Sequence, residues 1–300
     1  MTDSTVRFTM QAAGPFDLAL QNQHFGGWLS LAGDAAALVL CFPLELADAA
    51  AAVVLRQTED GAIAGEVHGI DASLADAARA QALAALSLDV DGTGWPAVGE
   101  RDPQIGGLQE RHGYLRPVLF HSPYEAAASF ILGHRISIVQ VRALRARLAE
   151  ALGTAVMVDD TAFHAFPTPA QVLEADELPG VPLVKAERLR AVARAVQDGW
   201  LTRASLRELP VDEALARVRS LPSVGPFFAQ GIVYRGAGVA DAVSDDEVTL
   251  HAVTERYGLA RPADRAKVAE LGAAWAPYRT WATVLLHVWA RSEGRMPRRR

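Results

Sequence analysis

The segment that most restricts this chain runs from Arg217 to Ala229, Arg-Val-Arg-Ser-Leu-Pro-Ser-Val-Gly-Pro-Phe-Phe-Ala, with Asp246 seventeen residues beyond it. It predicts a helix, a tight turn with Gly225 at its tip, a second helix opened by Pro226, and a carboxylate at the start of a third helix. A turn between two helices exposes backbone N–H groups that no helical carbonyl can satisfy, and such amides hold a phosphate readily. A carboxylate just beyond that grip can stabilise a cation developing on a sugar. The pairing points to chemistry on a nucleic acid rather than attachment alone.

Composition places that surface. The net charge of −6 argues against a polyanionic partner, but the balance is uneven. Residues 1–100 carry a net −10 and the remainder a net +4, so a DNA-binding face is expected in the C-terminal two-thirds. Only Lys185 and Lys267 are lysines among the 29 basic residues, which leaves few amines for a Schiff base. The lone Cys41 excludes an internal disulfide and a four-cysteine iron–sulfur cluster. No apolar run is long enough for a membrane span and no leader pattern opens the chain, so a cytoplasmic protein is expected. The eight histidines show no metal-binding spacing, and no metal is expected.

The expected fold class is α+β: a mixed α/β domain over 1–100, then a helical core over 101–300. Ala36–Phe42, Ala51–Arg56 and Ala62–His68 read as strands, with a turn at Glu59-Asp60-Gly61, and Ser73–Leu86 reads as a helix. The stretch from Asp91 to Pro103 is rich in glycine and proline and marks the boundary. Beyond it helices are expected from Ser122-Pro123-Tyr124-Glu125, which has capping-box spacing, to about Gly133. Others are expected at Ile136–Leu152, Ala186–Asp198, Val211–Leu221, Phe227–Arg235, Asp246–Tyr257 and Trp281–Arg291. Ser244 and Glu247 also have capping-box spacing, so acids there have an ordinary structural explanation as well as a catalytic one.

Several further segments, in order, carry a resemblance: Arg116-Pro117, Ile131-Leu-Gly133, Phe166-Pro-Thr-Pro169, Leu189-Arg-Ala-Val-Ala193, Leu221-Pro-Ser-Val-Gly-Pro226, Trp275-Ala-Pro-Tyr-Arg-Thr-Trp-Ala282 and Leu285-Leu-His-Val-Trp289. From about Asp102 to Pro297 the chain resembles the helix-hairpin-helix DNA glycosylases, in their alkyladenine (3-methyladenine) glycosylase II branch. The resemblance implies hydrolytic excision of an alkylated purine flipped out of double-stranded DNA, by a monomer that needs no cofactor. A monovalent cation on the hairpin carbonyls is also implied. Counting back from Arg256-Tyr257-Gly258 puts the catalytic carboxylate at Asp246 in preference to Asp245. Ser223 and Gly225 would hold the phosphate, Arg135 beside His134 would fill the space left by the flipped base, and Phe227, Trp289 and Trp281 would wall the pocket.

Ser223 departs from the glycine usual at its place, and Gly133-His-Arg-Ile136 departs from the usual glutamine-containing loop. Members that nick the strand carry lysine where Phe227 stands, so a monofunctional enzyme is implied. Two alternatives stay open: a helix-hairpin-helix DNA-binding protein with weak or no catalysis, and a glycosylase for deaminated or oxidised bases.

Overall fold

The structure is a computed structural model that describes residues 5–25, 29–31 and 34–297. The chain forms two compact units, each assembled from separated segments. One takes Met1–Gln11, Gly27–Asp89 and Leu119–Gly238, and the other Ala12–Gly26, Val90–Val118 and Val239–Arg300. The cut expected near residue 100 marks a change in composition, whereas the contacts divide the chain along other lines.

The first unit holds an antiparallel sheet of β1 (Val6–Met10), β2 (Leu29–Leu31), β3 (Asp34–Pro43), β4 (Ala50–Gln57) and β5 (Ile63–His68), in the order β1-β5-β4-β3-β2. Its central strands are continuous apolar runs because both faces are covered. Ala37, Val39, Cys41, Ala50, Ala52 and Val54 pack against Val156, Val158, Phe163 and Ala165. Leu38, Leu40, Phe42, Val53 and Leu55, on the opposite face, are also buried. The Ala75–Ala85 helix lies across β4 and β5. The covering residues come from a hairpin of β6 (Ala155–Val158) and β7 (Thr161–His164), in a region expected to be almost wholly helical. Its strands are four residues long, and its turn is Asp159-Asp160 with Asp159 at φ 50°, so it lacks the glycine that signals a hairpin.

Helices complete this unit, and two depart from expectation for physical reasons. Ser122 accepts from Glu125 N at 3.2 Å, half of the expected capping box. The Glu125 side chain turns inward instead. Its Oε2 accepts from Arg145 Nη2 at 2.5 Å and its Oε1 lies 3.0 Å from His121 Nδ1. The helix expected over Phe227–Arg235 is α-helical only over Pro226–Gln230 and continues as a π-helix through Gly231–Ala237. Two glycines allow the Pro123–Gly133 helix to press against it. A Cβ on Gly231 would fall 2.2 Å from the Phe130 ring, and one on Gly236 2.8 Å from Ala126.

The second unit is built around Trp95, Trp275, Trp281 and Tyr278, with Ile105, Val253, Leu285 and Leu286. Arg116, fully buried, ties its segments together. It donates to the carbonyls of Ala13 at 2.6 Å, Pro15 at 3.1 Å and Val90 at 3.1 Å, and its guanidinium lies over Trp281. Asp102 caps the Pro103–His112 helix through Gln104 N, while its other oxygen accepts from Trp275 Nε1 and the Tyr257 hydroxyl. Among the described residues no helix is long and apolar enough to cross a membrane.

Burial raises the Glu125 pKa, but His121 and Arg145 outweigh it and draw it down to about 2. Removing one partner of a buried pair costs about 3–5 kcal/mol, so Glu125→Gln should destabilise by about that much in chemical denaturation. Because the folded pKa is depressed, the contribution is present above about pH 4.5, the unfolded value, and is lost as pH falls toward about 2. The variant should lack that part of the acid dependence.

Candidate active site

Asp246 is the N-cap of the Glu247–Arg256 helix, one residue outside the helix expected to begin with it. Its Oδ1 accepts from Val248 N at 2.8 Å and Thr249 N at 3.0 Å. The capping box read from Ser244 and Glu247 therefore does not form. Asp246 takes the amides, and Ser244 donates its hydroxyl to Asp246 Oδ2 at 2.6 Å. Thr249 Oγ1 donates to the same oxygen at 3.0 Å. Beyond it stands His287 on the Arg279–Ser292 helix, with Nε2 2.8 Å from Thr249 Oγ1 and 3.6 Å from Asp246 Oδ1.

The Asp246 side chain keeps 13% of its surface exposed. Burial alone would raise its pKa. The His287 charge and the bonds from Ser244 and Thr249 outweigh that, so the carboxyl is held below the ordinary aspartate range. Neighbouring Asp245 faces Arg265 Nε at 3.4 Å instead. Asp246 has converging donors on both oxygens.

Trp289 is half-buried at the rim of the second unit's core. The guanidinium carbons of Arg256 and Arg295 lie 5.7 and 5.8 Å from its ring centre, and all three line a cleft of about 330 Å³ with Arg111. Trp281 is a core residue, contrary to expectation. It is 2% exposed, 5.7 Å from Trp95 and 5.1 Å from Tyr278, so nothing of its ring is left to line an open pocket.

The remaining expected residues belong to the first unit. The turn between the Val211–Val218 and Pro226–Gln230 helices closes with Val224 N donating to Leu221 O at 3.2 Å. Ser223 has φ 64°, which explains why glycine suits its place. Gly225, by contrast, has an ordinary φ of −84°, and a Cβ there would meet no protein atom within 4 Å. Neither conformation nor packing within the chain demands glycine at 225. Close approach of a ligand to the backbone would.

Phe227, at the second position of that helix, is 62% exposed and rests edge-on against Phe130 at 6.3 Å and tilted against Phe228 at 6.0 Å. His134 meets Phe228 at 6.1 Å. His134 and Arg135 are exposed at the end of the Pro123–Gly133 helix, and Arg135 has φ 61°. Lys185 holds this loop by donating to Leu132 O at 2.7 Å and His134 O at 3.0 Å.

Sequence reasoning missed three of these groups. Thr249 and His287 acquire a place only through the carboxylate they surround. The signals were thin: a hydroxyl three residues after Asp246, and a histidine inside the Leu285–Trp289 segment singled out for its tryptophan. Lys185 was noted only as one of two scarce amines and not recognised as the residue that anchors the loop.

Comparison with known proteins agrees with this architecture. No family model matches the chain. A probable bifunctional transcriptional activator/DNA repair enzyme AlkA of Mycobacterium tuberculosis is 30% identical over 175 residues, 56% of this chain. The chain spans only a third (33%) of that relative's length. A DNA-3-methyladenine glycosylase of Bacillus subtilis is 22% identical over 206 residues, 67% of this chain and 68% of the relative. Among solved structures, a 3-methyladenine DNA-glycosylase from Archaeoglobus fulgidus superposes with a TM-score of 0.76 at 19% identity, covering 95% of this chain and 98% of its own. The chain thus shares the fold of these glycosylase structures, and in sequence it is similar to proteins named AlkA and DNA-3-methyladenine glycosylase.

Proposed function

We propose that the chain is a monofunctional DNA glycosylase of base excision repair that hydrolyses the N-glycosidic bond of alkylated purines of the 3-methyladenine type. The observation that carries this reading is the Asp246 carboxylate, surrounded by four hydrogen-bond donors and still partly exposed. A fixed negative charge stabilises the oxocarbenium-like sugar that forms as the base departs. Pre-set donors mean that the carboxylate need not reorganise at that moment.

The other residues fit the steps around this one. Gly225 and Ser223 would let a phosphate approach the turn amides. A monovalent cation there would take backbone carbonyls of the turn, which keep a lone pair even where they accept one hydrogen bond. A damaged base must leave the stack to be cut, which costs a few kcal/mol. Arg135, at an exposed loop tip anchored by Lys185, would occupy the vacated space beside His134. Phe227 offers a free aromatic face to a flipped base, and a cationic N-alkylated purine stacks well on such a face. Within its own unit, Trp289 is proposed as an aromatic face for a base. Phe227 in the place of a catalytic lysine supports simple hydrolysis, which leaves an abasic site. Double-stranded DNA is the proposed partner, met by a cytoplasmic monomer that needs no cofactor.

Incubation with methylated duplex DNA, followed by mass spectrometry of free bases, should detect 3-methyladenine-type purines. Asp246→Asn should bind abasic DNA as the wild type does and release base about 100- to 1,000-fold more slowly. Equal release by that variant would refute the carboxylate's role. Release of only deaminated or oxidised bases, or binding without release, would favour the other two readings. The hairpin makes a separate prediction. Gly225→Ala should leave the melting temperature nearly unchanged and weaken DNA binding. Ser223→Gly should stabilise the fold by about 0.5–1 kcal/mol, because a left-handed conformation costs a non-glycine residue about 1–2 kcal/mol and the freer unfolded chain returns part of that.

A further inference from the structure

Thr249, one of the donors to Asp246, is itself in contact with His287, and the order of the protons between them matters. Thr249 is fully buried and its hydroxyl carries one proton. An ionised Asp246 can only accept, so the Thr249 proton lies on the 3.0 Å line to Asp246 Oδ2. Thr249 Oγ1 must then accept across the 2.8 Å contact to His287 Nε2. That requires a proton on Nε2. His287 Nε2 is 3.6 Å from Asp246 Oδ1, beyond hydrogen-bond distance, so its bonded link to the carboxylate passes through the threonine.

We propose that His287 is a positioning residue that, as an Nε2–H donor, orients the Thr249 hydroxyl toward Asp246 and so fixes the carboxylate that faces the sugar. Were Nε2 bare, Thr249 would donate to the histidine and turn a lone pair toward Oδ2, leaving two oxygens 3.0 Å apart with no proton between them. The chain His287 → Thr249 → Asp246 thus has one polarity compatible with an ionised acid. It delivers no proton to the reaction; it holds the acceptor still. The proposal rests on Asp246 as the catalytic carboxylate, but the tautomer it requires can be read without any turnover.

Nitrogen-15 NMR of the histidine rings in the full chain is expected to show His287 protonated at Nε2 near neutral pH. A ring protonated only at Nδ1 would overturn the proposal. Single-turnover release from methylated duplex DNA supplies the second arm. His287→Phe and Thr249→Val should each slow release about tenfold or more, with binding to a duplex carrying a tetrahydrofuran abasic analogue unchanged. The double variant should be no slower than Thr249→Val, since the two act in series. His287→Gln, whose amide reaches the Nε2 position, should recover most of the rate. Additive losses, or no recovery with glutamine, would mean that His287 is merely packing. If Asp246→Asn abolishes release while His287→Phe does not, the positioning role fails and the enzyme reading stands. If the wild type releases no base, the enzyme reading fails and the tautomer still decides the orientation of the chain.

Discussion

A helix N-terminus with an aspartate as its cap is the interaction on which the proposed chemistry depends. Capping is ordinarily a folding device, with one side-chain oxygen satisfying amides that the first turn leaves unpaired. At Asp246 that task occupies a single oxygen. The second is held by the hydroxyls of Ser244 and Thr249. Folding the Glu247–Arg256 helix and keeping a charged acid in a mostly buried place are therefore one act. The structural and catalytic explanations of an acidic residue there do not compete.

The same economy runs through the hairpin and through the loop that ends the Pro123–Gly133 helix. Ser223 accepts backbone strain so that the chain can turn, whereas Gly225 sits unstrained and uncrowded at the tip. Lys185 contributes its ammonium to two carbonyls at the end of the Pro123–Gly133 helix. Its pKa is pulled down by burial and by Arg188, which such an anchoring position entails. Phe227 is left exposed on a bed of two half-buried rings, Phe130 and Phe228.

How much of this was legible in the sequence depended on distance along the chain. Local signals worked. The strands from Asp34 to His68 and the helices from Pro123 onward announced themselves by apolar runs, caps and turn residues. Long-range facts did not. Arg116 bonds to carbonyls about 25 to 100 residues away, and that knot helps make the compact units discontinuous where composition suggested a simple cut. Trp281 looked like a pocket wall because its segment resembles one, yet whether a ring meets solvent is decided by Trp95 and Tyr278. His287 stands 41 residues beyond the acid it serves, and no periodicity links them.

The central claim is that Asp246 remains a carboxylate although most of its surface is buried. The most direct measurement is a carbon-13 NMR titration of its carboxyl in the full chain, assigned by comparison with Asp246→Asn. The account predicts a midpoint below the 3.8 of an ordinary aspartate, because His287, Ser244 and Thr249 together outweigh the cost of burial. A midpoint at or above that value would mean that burial prevails, and it would contradict the account.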